Sequence, residues 1–503
     1  MQVDYEVIIV GGGPVGMMVA AELALAKVKV CVLERLKETT PYSRALTVHP
    51  RTLEILDMRG LKAKLLDRGK PITTGHFAAL DRRLDFSVLD SSSNYTLIIP
   101  QHDTEKVLEE WAKNLGVEIR REEEVVAVHQ DQHGVEVESV GPNGKAVLTA
   151  LYVVGADGAA SIVRKQAGIP FVGKNATFTA MQGDVVLKNP PESGAPSYFN
   201  EQGLVMIVPL PAGMHRVVLI DSERMAVPKE EPVSLEELRT SLLRILGDDL
   251  GISDPFWMTR FGNATLQAQR YREGRIFLVG DAAHIHFPAG GQGMNVGLQE
   301  AINLGWKLAA HLKGWAPDWL LDSYHTERFP INTALLTNTQ MQSVLFGSSE
   351  FSPSVIALRN MLSNLLQIPE ANYRLATQIS AFNVQYEPDR ETQPHVLNGR
   401  RFTELNLRLK NGECQNAYEL FHSGSFLLLH FGSDDRLDDA FDWSKYKHVH
   451  VVHASLAKGA AEWHDVHTAL IRPDGYVAWA VSQEESNPME AIRKGIIHWC
   501  GHD

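Results

Sequence analysis

Residues 5 to 36, YEVIIVGGGPVGMMVAAELALAKVKVCVLERL, decide the fold. The apolar run from Tyr5 to Val10 reads as a buried strand, the Ala-rich stretch from about Pro14 to Ala26 as a helix, and Val28 to Leu33 as a second strand. Together they make a βαβ unit. Gly11, Gly13 and Gly16 occupy the glycine places of GxGxxG. The first makes a tight turn, the second leaves bare backbone for a pyrophosphate to approach, and the third lets helix pack closely on strand. The helix N-terminus then faces the phosphates. Glu34 ends the second strand, where a carboxylate can accept hydrogen bonds from ribose hydroxyls and disfavours a 2′-phosphate. The loop therefore suits FAD or NAD and not NADP.

Outward from this unit, the 503-residue chain is too long for one ordinary core and suits two or three domains. Lys and Arg number 48 against 61 Asp and Glu, a net charge of −13 without blocks of one sign. That pattern argues against nucleic acid or an anionic membrane as partner. Cys31, Cys414 and Cys500 are scattered, with neither CxxC nor metal-ligand spacing, so no metal is expected and a reducing cytoplasm is the simplest setting. The first residues lack a basic region before their short apolar run and read as a strand, not a signal peptide, and no stretch has the length of a membrane span.

TTPYSRALTVHPRTLEILDMRGL, residues 39 to 61, carries Arg44 and Arg51 in a loop leading to a helix, and solvated surface arginines are the usual reading of such a pair. A strand then ends at Gln101 before an amphipathic helix, and alternating strands with turns at Gly134 and Asn143-Gly144 suggest a β-meander. VVGADGAASIVRKQAGIPF, residues 153 to 171, begins as another strand and turns sharply at Gly155, with Asp157-Gly158 at the turn and Arg164 beyond it. Short strands and turns from about Val172 to Leu266, with one helix near Ser234 to Leu246, suit a mostly antiparallel sheet forming one wall of a substrate cavity.

GRIFLVGDAAHIHFPAGGQGMN, residues 274 to 295, delivers Gly280-Asp281 at the end of a parallel-type strand and then a glycine loop opening a helix. Backbone N–H groups at that helix N-terminus would stabilise an electron-rich ring that becomes anionic when reduced. Long helices fill roughly Asp322 to Ile379, a polar linker runs from Gln385 to Gly399, and three strong strand patterns beyond it indicate a separate α/β domain.

In this order, the first glycine loop, GADGAASIVR and GRIFLVGDAAHIHFPAGGQGMNVGLQEAINLGWKLA resemble the three fingerprints of the FAD-dependent aromatic hydroxylases, the single-component flavoprotein monooxygenases. The likeness covers about residues 4 to 380. The C-terminal part is similar to the thioredoxin-like domain of the subgroup with phenol hydroxylase, polyketide hydroxylases and rifampicin monooxygenase. The implied fold is α/β: a Rossmann-like FAD-binding domain at 1–171 and 267–385, an inserted, mostly antiparallel substrate domain at 172–266, and a thioredoxin-like domain at 400–503.

The resemblance implies that Gly11, Gly13, Val15 and Gly16 bind the FAD pyrophosphate region, Glu34 the ribose, and that Arg35 lies beside the adenosine and Val125 meets the adenine through its backbone. It places Arg44 and Gln101 on the pyrophosphate or flavin side, Asp281 at the ribityl or pyrophosphate portion, and Pro288, Gly290, Gly291, Gly293, Met294 and Asn295 along the isoalloxazine. Asp157 would hold its loop beside the pyrophosphate in a turn that also engages NAD(P)H, and Arg164 would either anchor Asp157 or meet NAD(P)H. His284 and His286 read as packing or local caps, and Glu300 stands where the family usually has Asp.

The implied reaction uses NAD(P)H, with NADPH ahead of NADH, and O2 to hydroxylate an aromatic ring through a C4a-hydroperoxyflavin. The implied substrate is phenolic and polycyclic, like a polyketide or an antibiotic, and the assembly a monomer or homodimer. NTQMQSVLFG (338–347) and WMTRFGNATL (257–266) are candidates for an apolar pocket. The competing readings are a flavin-dependent oxidoreductase on another substrate class and an FAD-binding scaffold without turnover.

Overall fold

The computed structural model describes residues 3–192, 194–347, 351–388, 391–432, 436–458 and 461–501; residues 389 and 390 of the expected linker lie outside them. Its first strand, Tyr5–Val10, runs parallel between Val30–Glu34 and Gly144–Gly155, and Glu118–Arg121 and Ile276–Leu278 extend the parallel set to five. Val7, Ile8 and Ile9 are fully buried, as a strand covered on both faces requires. The helix follows from Pro14 to Leu25 and packs on a second long helix, Gly293–Leu312.

The strand Gly144–Gly155 joins two parts of one eight-stranded sheet. Its first half pairs antiparallel with Val135–Gly141, which pairs with Glu124–Gln130, giving the expected meander. Its second half, from Ala150, joins the parallel sheet and ends at the turn before Asp157.

The inserted sheet is antiparallel, in the order Ser197–Asn200, Gly203–Pro209, Met214–Asp221, Thr179–Leu187, Ile252–Gly262. Alternation sorts its faces. Met181, Val185, Val205, Ile207, Val217 and Leu219 pack on the helix Leu235–Leu246, while Gln182, Met206, Val208, Arg216 and Val218 turn to the opposite side and line a cavity. Phe171–Lys174, Thr265–Ala268 and His284–Ile285 form a small sheet that ties the ends of the insertion to the loop after Asp281. Three helices, Ser323–Leu345, Pro353–Leu365 and Pro369–Ile379, occupy the region read as helical.

The C-terminal part is a six-stranded mixed sheet with Phe426–His430 parallel to Val449–Lys458 and antiparallel to Val466–Ile471, followed by the helix Pro488–Cys500: the expected thioredoxin-like unit. It shares a core with the first domain. Here the reading of Arg51 as a solvated arginine is corrected. Its side chain is fully buried, donates to Glu54 Oε2 (2.9 Å), and reaches the carbonyls of Asp474 (3.0 Å) and Gly475 (2.8 Å) in the C-terminal domain. Buried beside the Tyr476 ring, the guanidinium is cut off from solvent, so carbonyls of the docked turn take the place of water.

Candidate active site

The carboxyl ends of the parallel strands and the inner face of the antiparallel sheet enclose a cavity of about 560 Å³. This is where ligands bind in open α/β sheets. Two helix N-termini open on it, those of Pro14–Leu25 and Gly293–Leu312, and neither first turn is capped by a side chain. Their free N–H groups present partial positive charge.

The loop before the first helix is built as its glycines demand. Gly11 has φ +106° and a Cβ there would meet the Ala156 carbonyl oxygen at 2.4 Å; a Cβ on Gly16 would meet the Gly11 oxygen at 2.0 Å. Gly13 would meet nothing within 4 Å and faces the cavity, a bare stretch of backbone open to a ligand. Val15, Arg44, Gln101, Asp281, Pro288, Gly290, Gly291, Gly293 and Met294 join it in the lining.

Asp281 is exposed to the cavity, and desolvation by the protein packed around that opening raises its carboxyl pKa against the opposing charges of His284 and Arg44. Among the described residues neither the Asp281 carboxylate nor the Arg44 guanidinium has a hydrogen-bond or ion-pair partner, so both are available to a bound group. An anionic diphosphate joined to a polyol and a flat ring fits this cradle of bare N–H groups, one free cation and one free carboxylate. The donor set thus fits FAD.

The remaining expected residues lie outside the lining, and of these Glu34, Asp157, Arg164 and Asn295 act on the loops. Glu34 accepts from Gly12 N (2.6 Å) and Leu36 N (2.8 Å), bracing the glycine turn; Arg35 is exposed, and Val125 is buried in the meander. Asp157 Oδ2 accepts from Ile162 N (2.7 Å) and Val163 N (3.2 Å). Arg164 donates to the carbonyls of Ala159 and Ala282, both at 2.9 Å, and its guanidinium lies 3.8 Å from the Phe171 ring centre. It forms no ion pair with Asp157 among the described residues; it ties the Asp157 turn to the loop of Asp281. Asn295 is a clamp: its Oδ1 accepts from His49 N (2.7 Å), and its Nδ2 donates to Thr47 O and Gly291 O, both at 3.0 Å.

His284 Nε2 meets Glu300 Oε1 at 2.7 Å, and Glu300 Oε2 accepts from Gly280 N at 2.7 Å. Burial opposes the Glu300 charge, but His284, Arg328 and the Gly280 N–H outweigh it and hold its pKa low. Glu300 therefore anchors the strand end that presents Asp281. Burial pushes His286 down to about 4, and its Nδ1 bonds the Phe287 carbonyl at 2.7 Å, a local role as read.

Several lining residues carry no motif. His49, buried and pushed down to about 4, bonds the Gly290 carbonyl through Nε2 at 2.8 Å. Arg216 pairs cross-strand with Asp184 (2.8 Å) and donates to the backbone carbonyls of Ser43 and Arg44, fixing the stretch that carries Arg44. The short hairpin Thr74–Gly75 with Leu84–Asp85 brings His76, Arg83 and Phe86 to the wall. Of the two stretches proposed as apolar pocket, each contributes one aromatic to the lining, Phe346 and Phe261.

Two family models match the chain: the FAD binding domain over residues 4–339 and the aromatic-ring hydroxylase C-terminal domain over 395–502. An uncharacterized aromatic compound monooxygenase of Bacillus subtilis is 51% identical over 500 residues, 99% of either chain. A rifampicin monooxygenase of Streptomyces venezuelae is 40% identical over 491 residues, 96% of either chain. The solved anhydrotetracycline hydroxylase of Streptomyces rimosus superposes with a TM-score of 0.91 at 38% identity, covering 99% of both chains. A cradle that fits FAD beside an aromatic-lined cavity, on a fold shared end to end with such enzymes, places this chain in the family of FAD-dependent aromatic monooxygenases.

Proposed function

We propose that this flavin monooxygenase takes electrons from NAD(P)H and hydroxylates a polycyclic aromatic compound of the polyketide or antibiotic kind. The observation that carries the reading is the continuity of one cavity from the glycine loop to the antiparallel sheet, which lets a planar substrate lie against the flavin-side loops. The similarity to a rifampicin monooxygenase and an anhydrotetracycline hydroxylase supports the substrate class. The preference for NADPH over NADH rests on the family likeness alone.

Bound FAD would supply the reduction and activation of O2. The chain's own residues do the rest. Gly13 and Val15 would hold the FAD diphosphate at the first helix N-terminus, and Arg44 and Asp281, which line the same cavity, would meet the cofactor's charged and hydroxyl-bearing parts. The N–H groups around Gly293 and Met294 would stabilise negative charge on a bound ring, at no cost of reorganisation because His49 and Asn295 already fix the loop. Met206, Val208, Phe261, Phe287 and Phe346 exclude water and offer flat apolar surface to the substrate. Arg164 and Asp157 hold the FAD-side loops together, the role that their hydrogen bonds support ahead of contact with the nicotinamide.

Steady-state NAD(P)H oxidation by the purified yellow protein, across phenols, anthraquinones, rifamycins and tetracyclines, tests the reading. A polycyclic compound should accelerate oxidation above the substrate-free rate. Acceleration only by simple phenols would reject the substrate class, and none by any aromatic would favour a scaffold without turnover.

A further inference from the structure

The hairpin that reaches the cavity wall carries a cation, Arg83, with no counter-charge among the described residues. Its register pairs Thr74 with Asp85 and Gly75 with Leu84, and His76 and Arg83 are the next residues on the two arms. Both line the cavity. Arg83 Nε donates to Thr74 Oγ1 (3.0 Å) and one terminal nitrogen to the Ala195 carbonyl (3.2 Å). Among the described residues it has no ion-pair partner. His76 Nδ1 is buried and without a hydrogen-bond partner. Burial lowers the Arg83 pKa with nothing opposing it, and burial together with the Arg83 charge pushes His76 down to about 4, so the histidine is neutral.

The other charged or titratable groups facing the cavity are Arg44, Arg216, Asp281, His49 and His286. Arg216 is neutralised by Asp184, and Asp281 is the single acidic side chain in the described lining. Asp281 follows the Val279-Gly280 strand end beside the glycine loop, where a Cβ on Gly280 would touch Val15 at 3.3 Å, so it belongs to the flavin side. The hairpin is also held rigid. Ala78 and Ala79, between its two arms, sit at φ 50° and 49°, a left-handed conformation that costs a non-glycine residue energy. Arg359 holds them there by donating to Ala78 O (2.9 Å) and Ala79 O (2.5 Å), and Gln342 accepts from Ala78 N (3.0 Å). A half-buried guanidinium that is pre-positioned and has no ion-pair partner among the described residues is matched by an anion that arrives with a ligand.

Resting on the hydroxylase reading, we propose that Arg83, with His76 beside it in the cavity wall, binds an ionised hydroxyl of the substrate, so that the enzyme selects polycyclic aromatics bearing an acidic phenolic or enolic OH and holds them as the oxyanion. The proton leaves to solvent before or on binding, and the negative oxygen donates electron density to the ring that is to be hydroxylated. His76 adds a hydrogen bond to the same oxygen and carries no charge of its own.

The test needs no turnover. Oxidised, FAD-loaded protein is titrated with alizarin, whose colour reports its ionisation, and with alizarin dimethyl ether, which cannot ionise. Wild type should bind alizarin with the spectrum of the anion at a pH where free alizarin is protonated. Arg83→Met should abolish the shift and weaken alizarin about tenfold or more, as expected for a hydrogen bond between charged groups, and leave the ether unchanged. Arg83→Lys keeps the charge and should restore part of the shift, and unchanged flavin absorbance shows that each variant is folded. Equal spectra and affinities for wild type and Arg83→Met would overturn the proposal, as would equal loss of the ether, or failure of wild type to bind alizarin. Anion binding without oxygenation would leave the clamp and remove the hydroxylase reading; oxygenation indifferent to Arg83 would do the reverse.

Discussion

Asp281 shows what a single residue reveals of this site. Its carboxylate lines the cavity and has no side-chain partner among the described residues, so it is free to accept hydrogen bonds from a ligand's hydroxyls. Asp281→Ala should purify depleted of FAD, and full flavin occupancy by absorbance would contradict its role. His49 makes the pH argument. Burial depresses its folded pKa to about 4 from an unfolded value near ~6.5. The unfolded chain therefore binds the extra proton first: stability is complete above about pH 6.5 and declines as pH falls toward 4, by on the order of 3 kcal/mol for this one group. His49→Gln should flatten the dependence of unfolding free energy on pH across that window by nearly one proton, and an unchanged slope would show that His49 does not titrate as described. At this scale the sequence was legible where chemistry demands a residue type at a fixed spacing, as at Gly11, Gly16 and Asp281. It was not legible for His49, Arg83 or Arg216, whose partners lie 241, 112 and 172 positions away in the chain.

Among the elements, the strands were readable because each buries one face or two and the apolar pattern records which. Met181 and Gln182 take opposite sides of the inserted sheet, as alternation requires, so one face makes core and the other makes cavity wall. The hairpin at Thr74–Gly75 and Leu84–Asp85 escaped because its two-residue arms are too short to show any period. Its intervening turn is held by Arg359, a residue of the helix Pro353–Leu365 with no local signature. Arg359→Met should release the strained alanines, loosen the wall and raise the substrate KM several-fold while FAD occupancy is retained. Faster amide hydrogen exchange confined to residues 74–86 would confirm the mechanism, and an unaltered exchange pattern would refute it.

For the whole molecule, the C-terminal domain is a structural partner of the FAD-binding domain, joined to it by buried arginines as well as by apolar packing. Arg59 forms a two-bond pair with Glu22 (2.7 and 2.9 Å) and donates to the carbonyls of Phe421 (3.1 Å) and Pro473 (2.9 Å), so one guanidinium spans both domains. Arg59→Met leaves Glu22 buried without its partner and should cost about 3–5 kcal/mol in denaturant unfolding. The double variant Arg59→Met with Glu22→Leu should recover much of the loss, and no recovery would locate the cost in the domain contact instead. That docking was the least legible part of the sequence, because Arg51 and Arg59 look like any pair of surface cations until the turn at 473–475 is placed over them.

The account stands most directly on one measurement: mass spectrometry of the product formed from a polycyclic phenol by the FAD-loaded enzyme with NADPH under isotopically labelled dioxygen. The account predicts a product carrying one labelled oxygen, formed in proportion to the NADPH consumed. Consumption of NADPH with no label in the aromatic product, or label arriving from water, would contradict it.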